Sequence, residues 1–123
     1  MKRLSDKIAL VTGSSSGIGK AVAECFAKEG ATVIITSNST VNKGMDVVTD
    51  IKSTGGNAVY YSADLRHRDN VKSLFQKIKT DFGRLDILVN NAGRTFSYEL
   101  SSVTEESLKN DLEINYMSAV YCS

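Results

Sequence analysis

Apolar residues recur along this chain in two periods. Short runs rich in β-branched residues alternate with longer amphipathic stretches, the pattern of βαβ units on a parallel sheet. Ile8-Ala9-Leu10-Val11-Thr12 predicts a first strand. From about Ile18 to Glu29 the period becomes helical, with Ile18, Val22, Cys25 and Phe26 on one face and Gly30 at the expected C-cap. Thr32-Val33-Ile34-Ile35-Thr36 predicts a second strand. Val41, Met45, Val48 and Ile51 then recur at helical spacing until Gly55-Gly56, and Ala58-Val59-Tyr60-Tyr61 reads as a third strand. Val71, Leu74, Phe75, Ile78 and Phe82 mark the cleanest helix, closed by Gly83, before a fourth strand at Leu85-Asp86-Ile87-Leu88-Val89.

A final amphipathic segment opens with a capping-box pattern at Ser102-Val103-Thr104-Glu105. It carries Leu108, Leu112, Asn115, Ala119 and Cys122 in one stripe and reaches Ser123 without a C-cap signal. Four strands, each followed by a helix, predict an α/β fold: a Rossmann-type doubly wound parallel sheet, cut short after the fourth strand and part of the following helix. Right-handed crossovers and a reversal after the third strand predict the strand order 3-2-1-4.

Composition narrows the function classes without choosing one. The chain has 123 residues, 41% hydrophobic and 24% charged, which fits one compact domain or part of one and excludes a disordered tail, a collagen or a coiled coil. Fifteen basic against fourteen acidic residues give +1, so no nucleic acid or anionic membrane is expected as a partner. Cys25 and Cys122 have no CxxC or Cys/His spacing around them, so neither a disulfide framework nor a metal site is expected, and a reducing cytoplasm fits best. The start, Met1-Lys2-Arg3-Leu4-Ser5-Asp6-Lys7, is charged where a signal peptide would need an apolar run, so none is expected, and no run approaches the ~20 apolar residues of a membrane span.

The candidate chemistry begins directly after the first strand, at Thr12-Gly13-Ser14-Ser15-Ser16-Gly17-Ile18-Gly19. A glycine loop between a strand and a helix is the setting of a dinucleotide fingerprint. Gly13 would turn the chain off the strand, Gly17 would let backbone approach a pyrophosphate, and Gly19 would allow close helix-to-sheet packing. N–H groups at the helix start would face the phosphates. The spacing lacks the Lys-Ser/Thr of a P-loop, which disfavours an NTPase. Asp64-Leu65 follows the third strand, and Leu88-Val89-Asn90-Asn91-Ala92-Gly93 closes the fourth. With TGxxxGxG and NNAG in these places, the chain resembles the N-terminal half of the short-chain dehydrogenase/reductase family, particularly its 3-oxoacyl-carrier-protein-reductase-like members. The likeness covers nearly the whole chain, which then reads as residues 1–123 of a single NAD(P)-binding Rossmann domain.

That resemblance implies an oxidoreductase moving a hydride between a nicotinamide cofactor and a small carbonyl/alcohol substrate, with the intact enzyme a homo-oligomer, dimer or tetramer. It assigns cofactor contacts to Gly13, Ser15, Ser16, Gly17, Ile18 and Gly19 in the loop, Ser37 and Asn38 after the second strand, Asp64 and Leu65 after the third, and Asn90, Asn91, Ala92 and Gly93 after the fourth. Asp64 would accept from the adenine amino group; as a plain alternative it is a turn or N-cap residue. Asn90 has the alternative of tying neighbouring loops. Asn115 matches the helix asparagine that helps hold a water in the proton relay, although Leu108 stands where many members have Trp. Without the rest of the site, Asn115 equally reads as an amide satisfying a carbonyl. NADP(H) is expected over NAD(H), because Thr36-Ser37-Asn38-Ser39-Thr40 offers no carboxylate for ribose hydroxyls. Ser16, however, replaces the basic residue of many NADP-using relatives, leaving Lys43 as a possible substitute.

The family's Ser and Tyr-x-x-x-Lys are missing: no tyrosine here has a lysine four residues on. The chain by itself is therefore expected to be inactive, either a dinucleotide-binding module without catalysis or a fragment. His67 reads as solvated, Cys25 and Cys122 as core, Arg94 as a loop residue or a contact for an anionic substrate, and Lys72, Lys77 and Lys79 as the wet side of a helix.

Overall fold

Strands β1 (Ile8–Val11), β2 (Thr32–Ser37), β3 (Asn57–Ser62) and β4 (Ile87–Val89) form one parallel sheet in the order β3-β2-β1-β4, as the crossover rule requires. The computed structural model describes residues 2–38, 40–91 and 122. Helices α1 (Gly17–Lys28), α2 (Val41–Ser53) and α3 (Arg68–Phe82) make the connections. Val11 pairs with Ile35 on one side and Val89 on the other, and Ser37 pairs with Ser62. This register brings the glycine loop, the segment after β2, the turn after β3 and Asn90-Asn91 to one end of the sheet.

Alternate strand residues point to opposite faces, so the β-branched runs must be covered on both. Ala9, Val11, Val33 and Ile35 pack with Ala23 and Ala27 of α1 and Val47, Val48 and Ile51 of α2. Ile8, Leu10 and Ile34 pack on the other face with Leu65 and with Val71, Leu74 and Ile78 of α3. Asp86 pins the far end of the sheet: its Oδ2 accepts from Ile8 N at 2.8 Å, and its own N–H donates to Ile8 O at 2.9 Å.

Two helix faces differ from those read in the sequence. The buried face of α1 is Gly19, Ala23 and Ala27, spaced four apart, whereas Ile18 is 76% exposed and Cys25 is exposed. Small residues let the helix axis approach the sheet; Val22 and Phe26 pack half-buried at the margin of that core, and Ile18 and Cys25 are turned away. Cys25 is therefore not a core residue. In α2, Gly44, Val47, Val48 and Ile51 are buried, and Val41 and Met45 lie outside. The α3 face is as expected, with Phe75 and Phe82 packed beside its buried residues and Gly83 closing the helix. Helix α1 is capped by Glu29, one residue before Gly30.

The segment from Ser102 lies outside the described residues, except for Cys122, which is buried in the α3-side core with its thiol pushed up to about 11 by that burial. No helix among the described residues is long and apolar enough to cross a membrane.

Candidate functional site

The chain leaves β1 through a turn in which Gly13 and Gly17 both adopt left-handed backbone, at φ 64° and 61°. A Cβ on Gly17 would meet nothing within 4 Å, so the backbone angle demands glycine there and the space beside it is open. Gly19 is the opposite case. A Cβ there would overlap the Asn91 amide nitrogen and the Gly13 carbonyl, so this glycine serves the approach of helix to loop and to Asn91 as much as to the sheet.

Two hydroxyls that the sequence reading passed over hold the loop. Thr12, 1% exposed, donates its backbone N–H to Val89 O at 3.1 Å, and its Oγ1 both donates to Val89 O at 3.3 Å and accepts from Asn91 N at 2.9 Å. Asn91 Nδ2 then donates to Gly13 O at 3.2 Å. Ser14, fully buried, donates from Oγ to Val11 O at 2.7 Å and accepts from Thr36 N at 3.1 Å, while its own N–H reaches Thr36 O at 3.2 Å. The loop is thus stitched to β2 by Ser14 and to β4 by Thr12 and Asn91. The available signal was a short hydroxyl residue on each side of the turning glycine, where loop backbone groups lack ladder partners. Among the described residues, Thr36 Oγ1 is buried with no hydrogen-bond partner.

Ser15 Oγ pairs with Thr40 Oγ1 at 2.7 Å, and Ser37 Oγ pairs with Tyr60 Oη at 2.7 Å. Asn38, Ser16 and Ile18 are exposed. Ser16 caps α1 through its extended backbone with no side-chain cap bond, and the first turn of α1 holds no acidic residue. The N–H groups of that turn are therefore available to an anion with no competing carboxylate in the same turn.

Asp64 stands past the carboxyl end of β3, tied across to β2 by the Ala63 N to Ser37 O bond of 3.1 Å. Its carboxylate accepts three hydrogen bonds from one residue: Arg66 N at 3.1 Å and Nε at 2.9 Å on Oδ1, and Nη2 at 2.7 Å on Oδ2. The bond to the Arg66 side chain outweighs partial burial and holds the carboxyl below its usual range. The turn geometry proposed for Asp64 is thus present, and His67 Nε2, on an exposed side chain, lies 3.6 Å from Oδ2. Leu65 turns its side chain into the α3-side core, leaving its backbone at the crevice. Asn91 ties the end of β4 to the glycine loop, and Asn90 beside it is exposed. Ala92, Gly93, Arg94 and Asn115 lie outside the described residues.

A family model for short chain dehydrogenases matches residues 7–123. The chain belongs to the short chain dehydrogenase family. It is 39% identical to a 3β-hydroxysteroid dehydrogenase of Mediterraneibacter gnavus over 99% of this chain and 44% of that protein. It is also 40% identical to a hydroxynaphthalene reductase-like protein of Metarhizium guizhouense, over 93% of this chain and 43% of that one. Among solved structures, a short chain dehydrogenase of Burkholderia cenocepacia in complex with NADP superposes with TM-score 0.91 and 36% identity, over 98% of this chain and 49% of that one. The chain thus spans about half the length of the short chain dehydrogenases it matches.

Proposed function

We propose that residues 1–123 are the N-terminal part of a single dinucleotide-binding domain that serves hydride transfer between NADP(H) and the carbonyl or alcohol carbon of a small molecule. The observation that carries this reading is the glycine loop: an open left-handed turn at Gly17 in front of a helix start without acidic residues. The residues fit the cofactor. Loop backbone from Gly13 to Gly19 would receive the pyrophosphate, Ser37 and Asn38 the adenosine ribose, Asp64 and Leu65 the adenine, and Asn90 to Gly93 the nicotinamide side. When bound, the cofactor supplies or accepts the hydride.

The preference for NADP(H) over NAD(H) is supported by the chain after β2. No carboxylate follows it, and hydroxyls from Ser15, Ser37, Thr40 and Tyr60 gather there in pairs. The nearest acid past β3, Asp64, is already matched by Arg66, which reduces its repulsion of a 2′-phosphate. Asn115 is assigned to the proton relay on the strength of the family motif. No tyrosine of the 123 residues has the lysine that would tune its phenol for proton transfer. This chain by itself is therefore assigned binding without turnover.

Calorimetric titration of the chain with NADPH and NADH tests the reading. NADPH is expected to bind at least tenfold tighter, ~1.4 kcal/mol, and tighter NADH overturns the preference. Ketone reduction by the mass-verified chain above background overturns the assignment of inactivity.

A further inference from the structure

We infer that Arg66 is a positioning residue that sets the base selectivity of the dinucleotide site: by clamping Asp64 it leaves that carboxylate one fixed acceptor, suited to the exocyclic amino group of adenine. The inference rests on the dinucleotide reading above.

A carboxylate has two oxygens with two lone pairs each. Arg66 N and Nε, at 3.1 and 2.9 Å, fill both sites on Oδ1. Arg66 Nη2, at 2.7 Å, fills one on Oδ2. His67 Nε2 stands 3.6 Å from Oδ2, beyond hydrogen-bond reach, and leaves the remaining site on that oxygen open. The planar fork of the guanidinium also fixes the plane of the carboxylate, and with it the direction of the open lone pair. Asp64 and Arg66 are both half-buried, so the clamp works with limited competition from water.

A clamped, ionised carboxylate accepts and cannot donate. An amino group at position 6 of a purine offers the required hydrogen, whereas the oxo group of hypoxanthine places a second acceptor against Oδ2. Sites built around one hydrogen bond reject analogues lacking the matching group, because the buried partner is left unpaired. Without the Arg66 side chain the carboxylate keeps only the backbone N–H of residue 66 on Oδ1, and Oδ2 loses its fixed partner to water, so the preference should relax. Lysine keeps the charge but has no planar fork, so it restores the clamp only in part.

The test is titration of the 123-residue chain, unsubstituted and as Arg66→Ala and Arg66→Lys, with NADPH and with reduced nicotinamide hypoxanthine dinucleotide phosphate. The unsubstituted chain should prefer the adenine form by about tenfold or more. Arg66→Ala should bring the two within about threefold, with Arg66→Lys between. The ratio is taken within each variant, so a loss of folded protein lowers both affinities together and leaves it unmoved. An Arg66→Ala chain that keeps the tenfold preference, or binds NADPH more tightly because the clamp had been excluding the base, overturns the inference. Equal binding of both forms by the unsubstituted chain overturns it while sparing the dinucleotide reading. Binding of neither overturns both.

Discussion

Replacing Ser14 by alanine removes one oxygen from a position with no solvent exposure, and its consequence can be worked out bond by bond. The hydroxyl lies 2.7 Å from Val11 O, to which it donates, and 3.1 Å from Thr36 N, from which it accepts. A cavity the size of one oxygen adds little. The main cost is a buried backbone N–H left without its acceptor, ~1–3 kcal/mol, against the ~1 kcal/mol of an ordinary hydrogen bond whose loss water can repair. The backbone bond from Ser14 N to Thr36 O remains and keeps the strand ends together. We expect Ser14→Ala to destabilise the chain by about 2 kcal/mol, lowering its unfolding temperature by roughly 5–12 °C. Urea unfolding followed by circular dichroism, with unchanged m-value, reads this directly. Ser16→Ala, at an exposed position with no side-chain cap bond, is the control and should stay within about 0.5 kcal/mol. If Ser14→Ala also stays within that margin, the hydroxyl is not what joins loop to β2.

Thr36→Val should be neutral or stabilising by up to about 1 kcal/mol, because its buried Oγ1 has no partner among the described residues; marked destabilisation by the same unfolding assay would show a missing acceptor or donor. Gly19→Ala should weaken dinucleotide binding at least tenfold, since its Cβ must displace the Asn91 amide or the Gly13 carbonyl; calorimetry showing unchanged affinity would contradict that crowding. Asp64 has a folded pKa below its unfolded value of about 3.9, so its contribution to stability is complete above that pH and is lost as pH falls through the folded value. Asp64→Asn should therefore narrow the stability difference between pH 3 and pH 6, and an unchanged difference would remove Arg66 as its cause.

Strand order and strand positions were legible because the central strands β1 and β2 are buried on both faces, so Ile8–Val11 and Thr32–Ser37 read as continuous apolar runs whatever their register. The α3 face was legible for a related reason: only one stripe of that helix is apolar. Helix α1 misled because its contact face is built from Gly19, Ala23 and Ala27, which a hydrophobicity pattern undervalues beside Ile18 and Cys25. Close approach, not apolar bulk, chose that face. The glycine positions of the site were readable from spacing. The hydroxyls of Thr12 and Ser14 were not, because their partners are backbone atoms brought close only by the strand order.

The stitch between the glycine loop and Asn91 joins residues 78 positions apart. Until β4 has docked beside β1, Gly13 O has no amide to receive and Thr12 Oγ1 has no Asn91 N–H to hold. Local chain entropy alone would leave the loop in many shapes. On a ribosome, β1 and α1 leave the exit tunnel long before Asn91 is synthesised, so the phosphate cradle is encoded near the start of the chain and completed among the last described steps of its folding. A nascent chain that stops before residue 91 carries every glycine of the fingerprint and the Ser14 stitch to β2, and lacks the second fastening that Asn91 supplies.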